Sequence, residues 1–162
     1  MPQQTTQQYF KALTVLHFAL VTGLVVFSVI AYVVHSIGTF GNDAALLTIF
    51  QYMVPALAFM SIVAGRTLYK KKVDDIKNMD NLATKLNAYR GAFILRDALL
   101  EGPAIFAIIA YLLCGNMVLL GVAVLLIVVF IIIRPTKDAV IKDLELSSDE
   151  MDILNDDDAV IE

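Results

Sequence analysis

The chain has a single cysteine, Cys114, which excludes an intramolecular disulfide and any cysteine-based zinc site. A small residue in a turn is the reading it supports. CxxC, HExxH and a glycine-rich phosphate loop are missing as well. No metal, no cofactor, no catalytic set and no nucleic-acid partner is therefore expected. Charge is nearly absent from four long stretches. Basic charge is absent from the segments 36–43 and 114–116.

Apolar residues fill those stretches. They make up 59% of the 162 residues, and the mean hydropathy is +0.75. Soluble domains carry nearer half, spread at helix or strand period. Here the apolar residues come in blocks, so the core is expected to be shared with lipid. Crossing a hydrocarbon layer of about 30 Å takes roughly 20 helical residues, and four stretches approach that: Leu13–Val34, Ala44–Ala64, Ile94–Leu113 and Met117–Ile133. The fourth is rich in β-branched residues, but in lipid only a helix satisfies the backbone of such an isolated run. The first is too long for a secretory apolar core and lacks a small-x-small cleavage site. The expectation is an all-α integral membrane protein with four transmembrane helices in a four-helix bundle.

All 12 basic residues fall on one side of this plan. Lys11 precedes the first span. Arg66, Lys70, Lys71, Lys72, Lys77, Lys85, Arg90 and Arg96 lie between the second and third spans or at their ends, and Arg134, Lys137 and Lys142 follow the fourth. The positive-inside rule then places both termini and the central segment in the cytoplasm. The expected layout is a polar N-terminus (1–12), a first transmembrane hairpin (13–66), a basic amphipathic loop (67–90), a second hairpin (91–134) and an acidic tail (135–162). A bacterial inner membrane suits this size and charge. The opening MPQQTTQQ is polar and uncharged and is expected to be disordered.

The two hairpins read as tandem copies in one orientation, a parallel repeat. LHFALVTGLVVFSVIAY (16–32) aligns with LRDALLEGPAIFAIIAY (95–111), matching at Leu16, Ala19, Leu20, Gly23, Phe27, Ile30, Ala31 and Tyr32. Gly41-Asn42 and Gly115-Asn116 then turn each copy, and each second helix ends near an arginine, Arg66 and Arg134. Where the first copy has His17, Phe18 and Thr22, the second has Arg96, Asp97 and Glu101, followed by Gly102-Pro103.

Asp97 and Glu101 share a helix face, with Arg90 on that face two turns earlier. Arg96 points elsewhere and is expected to snorkel toward the headgroups. Glu101 lies roughly 10 Å into the hydrocarbon at 1.5 Å per residue. A carboxylate there must be neutral, paired or in contact with water. His17 and Thr22 stand at matching depths. Glu101, Asp97 and His17 are the candidate ion or proton site, with Arg90 and Arg96 at the interface. The stretch ALLEGPAIFAIIAYLL (98–113) resembles the carboxylate helix of the rotor-ring c subunit of rotary ATPases, the proteolipid. That resemblance covers 16 residues and implies that Glu101 stands where the family carries its ion. The second span lacks the family's spaced glycines, and the loop joining spans two and three is long.

Pro55, one turn after Gln51, and Gly102 with Pro103 are kink positions in spans two and three. Val73, Ile76, Leu82 and Leu86 recur at near-helical spacing and predict amphipathic extensions of those spans at the membrane surface. Lys70, Lys71 and Lys72 form a membrane-surface basic cluster. In the tail, Ser147 or Ser148 is expected to cap a short helix through Met151, Ile153 and Leu154. The acids around it would dock on a basic partner or on the central segment, or remain solvated. Three classes of function follow. One is a non-enzymatic accessory, scaffold or oligomeric membrane component, as a homo-oligomer or within a membrane-protein complex. The second is a proton- or cation-coupled carrier using Glu101. The third, a membrane enzyme, ranks last for want of polar groups in the spans.

Overall fold

The computed structural model describes residues 4–38 and 43–161. A two-residue strand β1 (Gln4–Thr5) leads into three long helices, α1 (Thr6–Ser36), α2 (Ala44–Lys77) and α3 (Leu82–Cys114). These are followed by α4 (Met117–Ile132), two short helices α5 (Lys137–Leu144) and α6 (Ser148–Asn155), and strand β2 (Val160–Ile161). The two strands pair antiparallel, Gln4 with Ile161 and Thr5 with Val160. The described residues are thus all-α apart from this one short pairing. The segment expected to be a disordered start is ordered from Gln4 onward, because its backbone and Tyr9 find partners in the chain.

Among the described residues three helices, α1, α2 and α3, are long and apolar enough to cross a membrane, and there are up to four if the bent pair α4 and α5 counts as one span. Alone, α4 has 16 residues, about 24 Å at 1.5 Å per residue, which is short of the hydrocarbon thickness. Its end follows from Pro135, which has no N–H to continue a helix and excludes helical geometry from the residue before it.

The chain divides into two compact units. One gathers residues 19–65 and 97–133, the other residues 1–18, 66–96 and 134–162. The first, the apolar unit, has a core of small and aliphatic side chains that includes Leu24, Ala31, Val54, Ala58, Ala104, Ala107, Ile108 and Leu126. Outside that core Phe59, Met60, Val29, Ile30 and Leu125 are exposed. This inverts the soluble pattern and suits contact with lipid. His35 Nδ1 lies 3.2 Å from the Leu112 carbonyl oxygen, with its ring 5.4 Å from that of Tyr111.

Gly115 ends α3 in the left-handed region at φ 66°, its N–H donating to the Tyr111 carbonyl at 2.7 Å. A side chain there would meet the Cβ penalty that glycine avoids. Asn116 then caps α4, its side chain accepting from the Val118 N–H at 2.8 Å. The corresponding Gly41-Asn42 lies outside the described residues. Of the eight identical pairs in the two aligned segments, seven have the same degree of burial. Tyr32 is exposed where Tyr111 is buried.

The second, charged unit draws its core from three distant parts of the sequence. Tyr9, Phe10 and Leu13 meet Val73, Ile76, Leu82, Leu86, Tyr89 and Phe93, and Val140, Leu144, Leu146 and Leu154 complete it. Val73, Ile76, Leu82 and Leu86 do recur at helical spacing, and they pack inside this core. Helices α2 and α3 run on through the expected loop and leave a turn only at 78–81. Ser147 caps α6 through a complete capping box with Glu150. Thr136 caps α5 by accepting from the Ala139 N–H at 3.1 Å.

Candidate functional site

In the apolar unit, α3 carries Asp97 at 1% exposure and Glu101 half-buried. Gly102 on the same helix is exposed, with open space where a Cβ would stand. Pro103 is half-buried inside α3, and Pro55 is half-buried inside α2. Thr22, the first-copy counterpart of Glu101, is exposed.

In the charged unit, His17 is 1% exposed. Its ring lies 5.6 Å from that of Phe93 and 5.8 Å from that of Phe18. Arg90 is exposed, as are Lys70, Lys71 and Lys72. Arg96 stacks on aromatic rings. Its guanidinium carbon lies 4.0 Å from the centroid of the Tyr69 ring and 4.9 Å from that of Phe93. The cation is attracted to the negative face of an aromatic ring, and two rings within reach hold it there.

Tyr69 links this cation to the tail. The hydroxyls of Tyr69 and Tyr89 are 2.7 Å apart, and Asp143 Oδ2 lies 2.6 Å from Tyr69 and 3.3 Å from Tyr89. Each hydroxyl has one proton, so two protons serve three contacts, and the carboxylate only accepts. Both tyrosines lie beyond the apolar stretches 44–64 and 94–113. Burial first, then the neighbouring Tyr89 and the bond to Asp143, push the Tyr69 hydroxyl far above its ordinary value, against the opposing Arg96. Burial likewise pushes Tyr89 up to about 12, while the bond from Tyr69 works the other way. Both phenols therefore stay protonated near neutral pH and act as donors, not as bases.

The tail is tied down elsewhere too. Lys85 Nζ meets Glu150 Oε1 at 2.7 Å, with side-chain exposures of 11% and 18%. Burial tends to raise the Glu150 carboxyl, but Lys85 and the Ser147 backbone and hydroxyl together hold it below the usual carboxylate range. Lys77 pairs with Glu145 at 2.7 Å, and Lys137 with Asp157 at 2.6 Å. At the start of α1, the Thr6 and Gln7 N–H groups donate to the carbonyls of Ala159 and Asp157 at 3.0 and 3.1 Å. The tail's backbone thus satisfies two of the donors that a helix start leaves open. Tyr9 donates to the Leu86 carbonyl at 2.6 Å.

Sequence reading missed Tyr69, Tyr89 and Asp143. The available signal was two tyrosines on basic helical segments, opposite a tail rich in acids. Among the described residues, no group of three or more His, Cys, Asp or Glu side chains could hold a metal ion. The chain matches no protein-family model, no curated protein and no solved structure.

Proposed function

We propose that the chain is a small non-enzymatic membrane component, an accessory or scaffold protein working in a homo-oligomer or a membrane-protein complex. In this reading it spans the bilayer four times as two like hairpins, and its charged unit stands on the cytoplasmic side. The distribution of all 12 basic residues supports that orientation. One observation carries the functional reading. The polar groups inside the charged unit are engaged with one another, through Tyr69, Tyr89 and Asp143, through Lys85 and Glu150, and through Tyr9 and the Leu86 carbonyl. Such groups hold a shape, and a shape offered at a membrane is what an adaptor needs.

A second reading, a proton or cation carrier, is favoured by Asp97 and Glu101. They stand one turn apart on an apolar helix, the first buried and the second half-buried. The resemblance of residues 98–113 to the carboxylate helix of rotor-ring c subunits points the same way. One experiment separates the two readings. Purified chain in sealed vesicles is assayed for proton and sodium flux, alongside Glu101→Gln and after carbodiimide treatment. The scaffold reading expects no flux from the wild-type chain alone and a change in partner recovery or stability for Glu101→Gln. Flux that Glu101→Gln abolishes, in a protein that still assembles, would replace it with the carrier.

A further inference from the structure

Along α2, the apolar stretch gives way at Arg66 to an exposed, charged face. Arg66, Lys70 and Asp74 follow one another at every fourth residue, with Thr67, Lys71 and Asp75 beside them. These six residues line an open depression of about 420 Å³. Val73 and Ile76, on the same helix, are buried in the core of the charged unit. Lys72 lies off this face. The arrangement is polarised: Arg66, Thr67, Lys70 and Lys71 occupy the end next to the apolar stretch, and the two acids stand a turn beyond. Among the described residues, Arg66, Lys70 and Lys71 enter no ion pair, whereas Lys77, Lys85 and Lys137 are each taken by an acid of the tail.

We propose that this face of α2 binds the phosphate of an anionic phospholipid headgroup. The inference rests on the reading that the apolar stretch of α2 spans the membrane. Arg66 and Lys70 are four residues apart, about 6 Å along the axis, so both cations can reach one phosphate. The guanidinium offers a planar fork to two phosphate oxygens, and the two ammonium groups add point charges that need no fixed direction. The lipid supplies the anion at the depth where the basic residues begin. Three of the tail's acids, Glu145, Glu150 and Asp157, are held by other lysines.

The full chain is reconstituted in phosphatidylcholine vesicles containing trace spin-labelled phosphatidylglycerol or spin-labelled phosphatidylcholine, and the motionally restricted fraction of each label is read by electron spin resonance. The wild-type chain is expected to retain the anionic label preferentially. Arg66→Gln, Lys70→Gln and Lys71→Gln together should remove that preference, each charge counting for roughly 5-fold, and Lys72→Gln should keep it. Single Lys71→Glu serves if the triple variant does not fold, and should lower the preference alone. An unchanged preference in the triple or Lys71→Glu variant overturns the proposal. So does an equal loss in Lys72→Gln, which would mean diffuse attraction, or displacement by millimolar inorganic phosphate, which would mean a site for the free ion. Flotation of the protein with the vesicles is measured in the same samples. Its loss would remove the membrane reading itself, while floating protein without lipid preference removes only the site.

Discussion

The Arg96 guanidinium lies over the face of the Tyr69 ring, and the hydroxyl on the rim of that ring meets Asp143 at 2.6 Å. One side chain therefore carries a cation on its face and an anion at its edge, joining α2, α3 and the tail.

Removing the rim contact should loosen the tail. Tyr69→Phe keeps the ring under Arg96 but deletes a hydrogen bond to a charged acceptor, worth about 1.5–3 kcal/mol. Thermal unfolding in detergent should show that loss. Arg96→Lys should cost less, about 0.5–2 kcal/mol, because an ammonium stacks less well on two rings. Equal stability of Tyr69→Phe and the wild type would mean that Tyr89 alone holds Asp143.

Acid should release the helix α6 through Glu150. Its carboxyl is held below the ordinary value in the folded state, so the unfolded chain binds the proton more readily. The stabilisation is therefore complete above the ordinary glutamate value of about 4.3 and is lost as pH falls through the lower folded value. A dye on Asp152→Cys, with Cys114→Ser as background, should gain mobility below about pH 4. Glu150→Gln should give the mobile signal at neutral pH already.

The two adjacent serines should differ sharply. Ser147 accepts from the Glu150 N–H, and Glu150 Oε2 accepts in return from the Ser147 N–H at 2.9 Å. Ser147→Ala should cost about 1 kcal/mol, read as faster proteolysis within 148–155. Ser148→Ala, at the first helical position, should leave the cleavage rate unchanged.

Leu154 is fully buried, whereas its neighbour Ile153 is exposed. Leu154→Ala should destabilise the charged unit by about 2–5 kcal/mol through the lost contacts and the cavity left behind. Ile153→Ala should shift the unfolding midpoint little. Similar shifts for both would place α6 off the core.

Much of this was legible in the sequence because it depends on local rules. Apolar runs long enough to cross a bilayer, the glycine and asparagine at 115–116, and the capping serine before Glu150 each act within a few residues. The docking of Asp143 on Tyr69 depends on residues 74 positions apart, and no periodicity announces such a pair. The helical spacing of Val73, Ile76, Leu82 and Leu86 was readable, but not what they face, since lipid and a protein core reward the same pattern. The ring contacts of Arg96 were hidden for a related reason. A long basic side chain near an apolar stretch suits snorkelling, and only the fold brings two aromatic rings beneath it.

The charged unit takes its residues from 1–18, 66–96 and 134–162, and this orders events during synthesis. Tyr9, Phe10 and Leu13 leave the ribosome long before Leu144, Leu146 and Leu154, which complete their core. Until residues 134–162 emerge, an apolar surface drawn from two earlier segments stays uncovered, and pairings this distant in sequence form slowly. A chain stopped near Arg134 would retain every long apolar helix yet leave that surface open to aggregation, or to the proteases that survey unfinished chains.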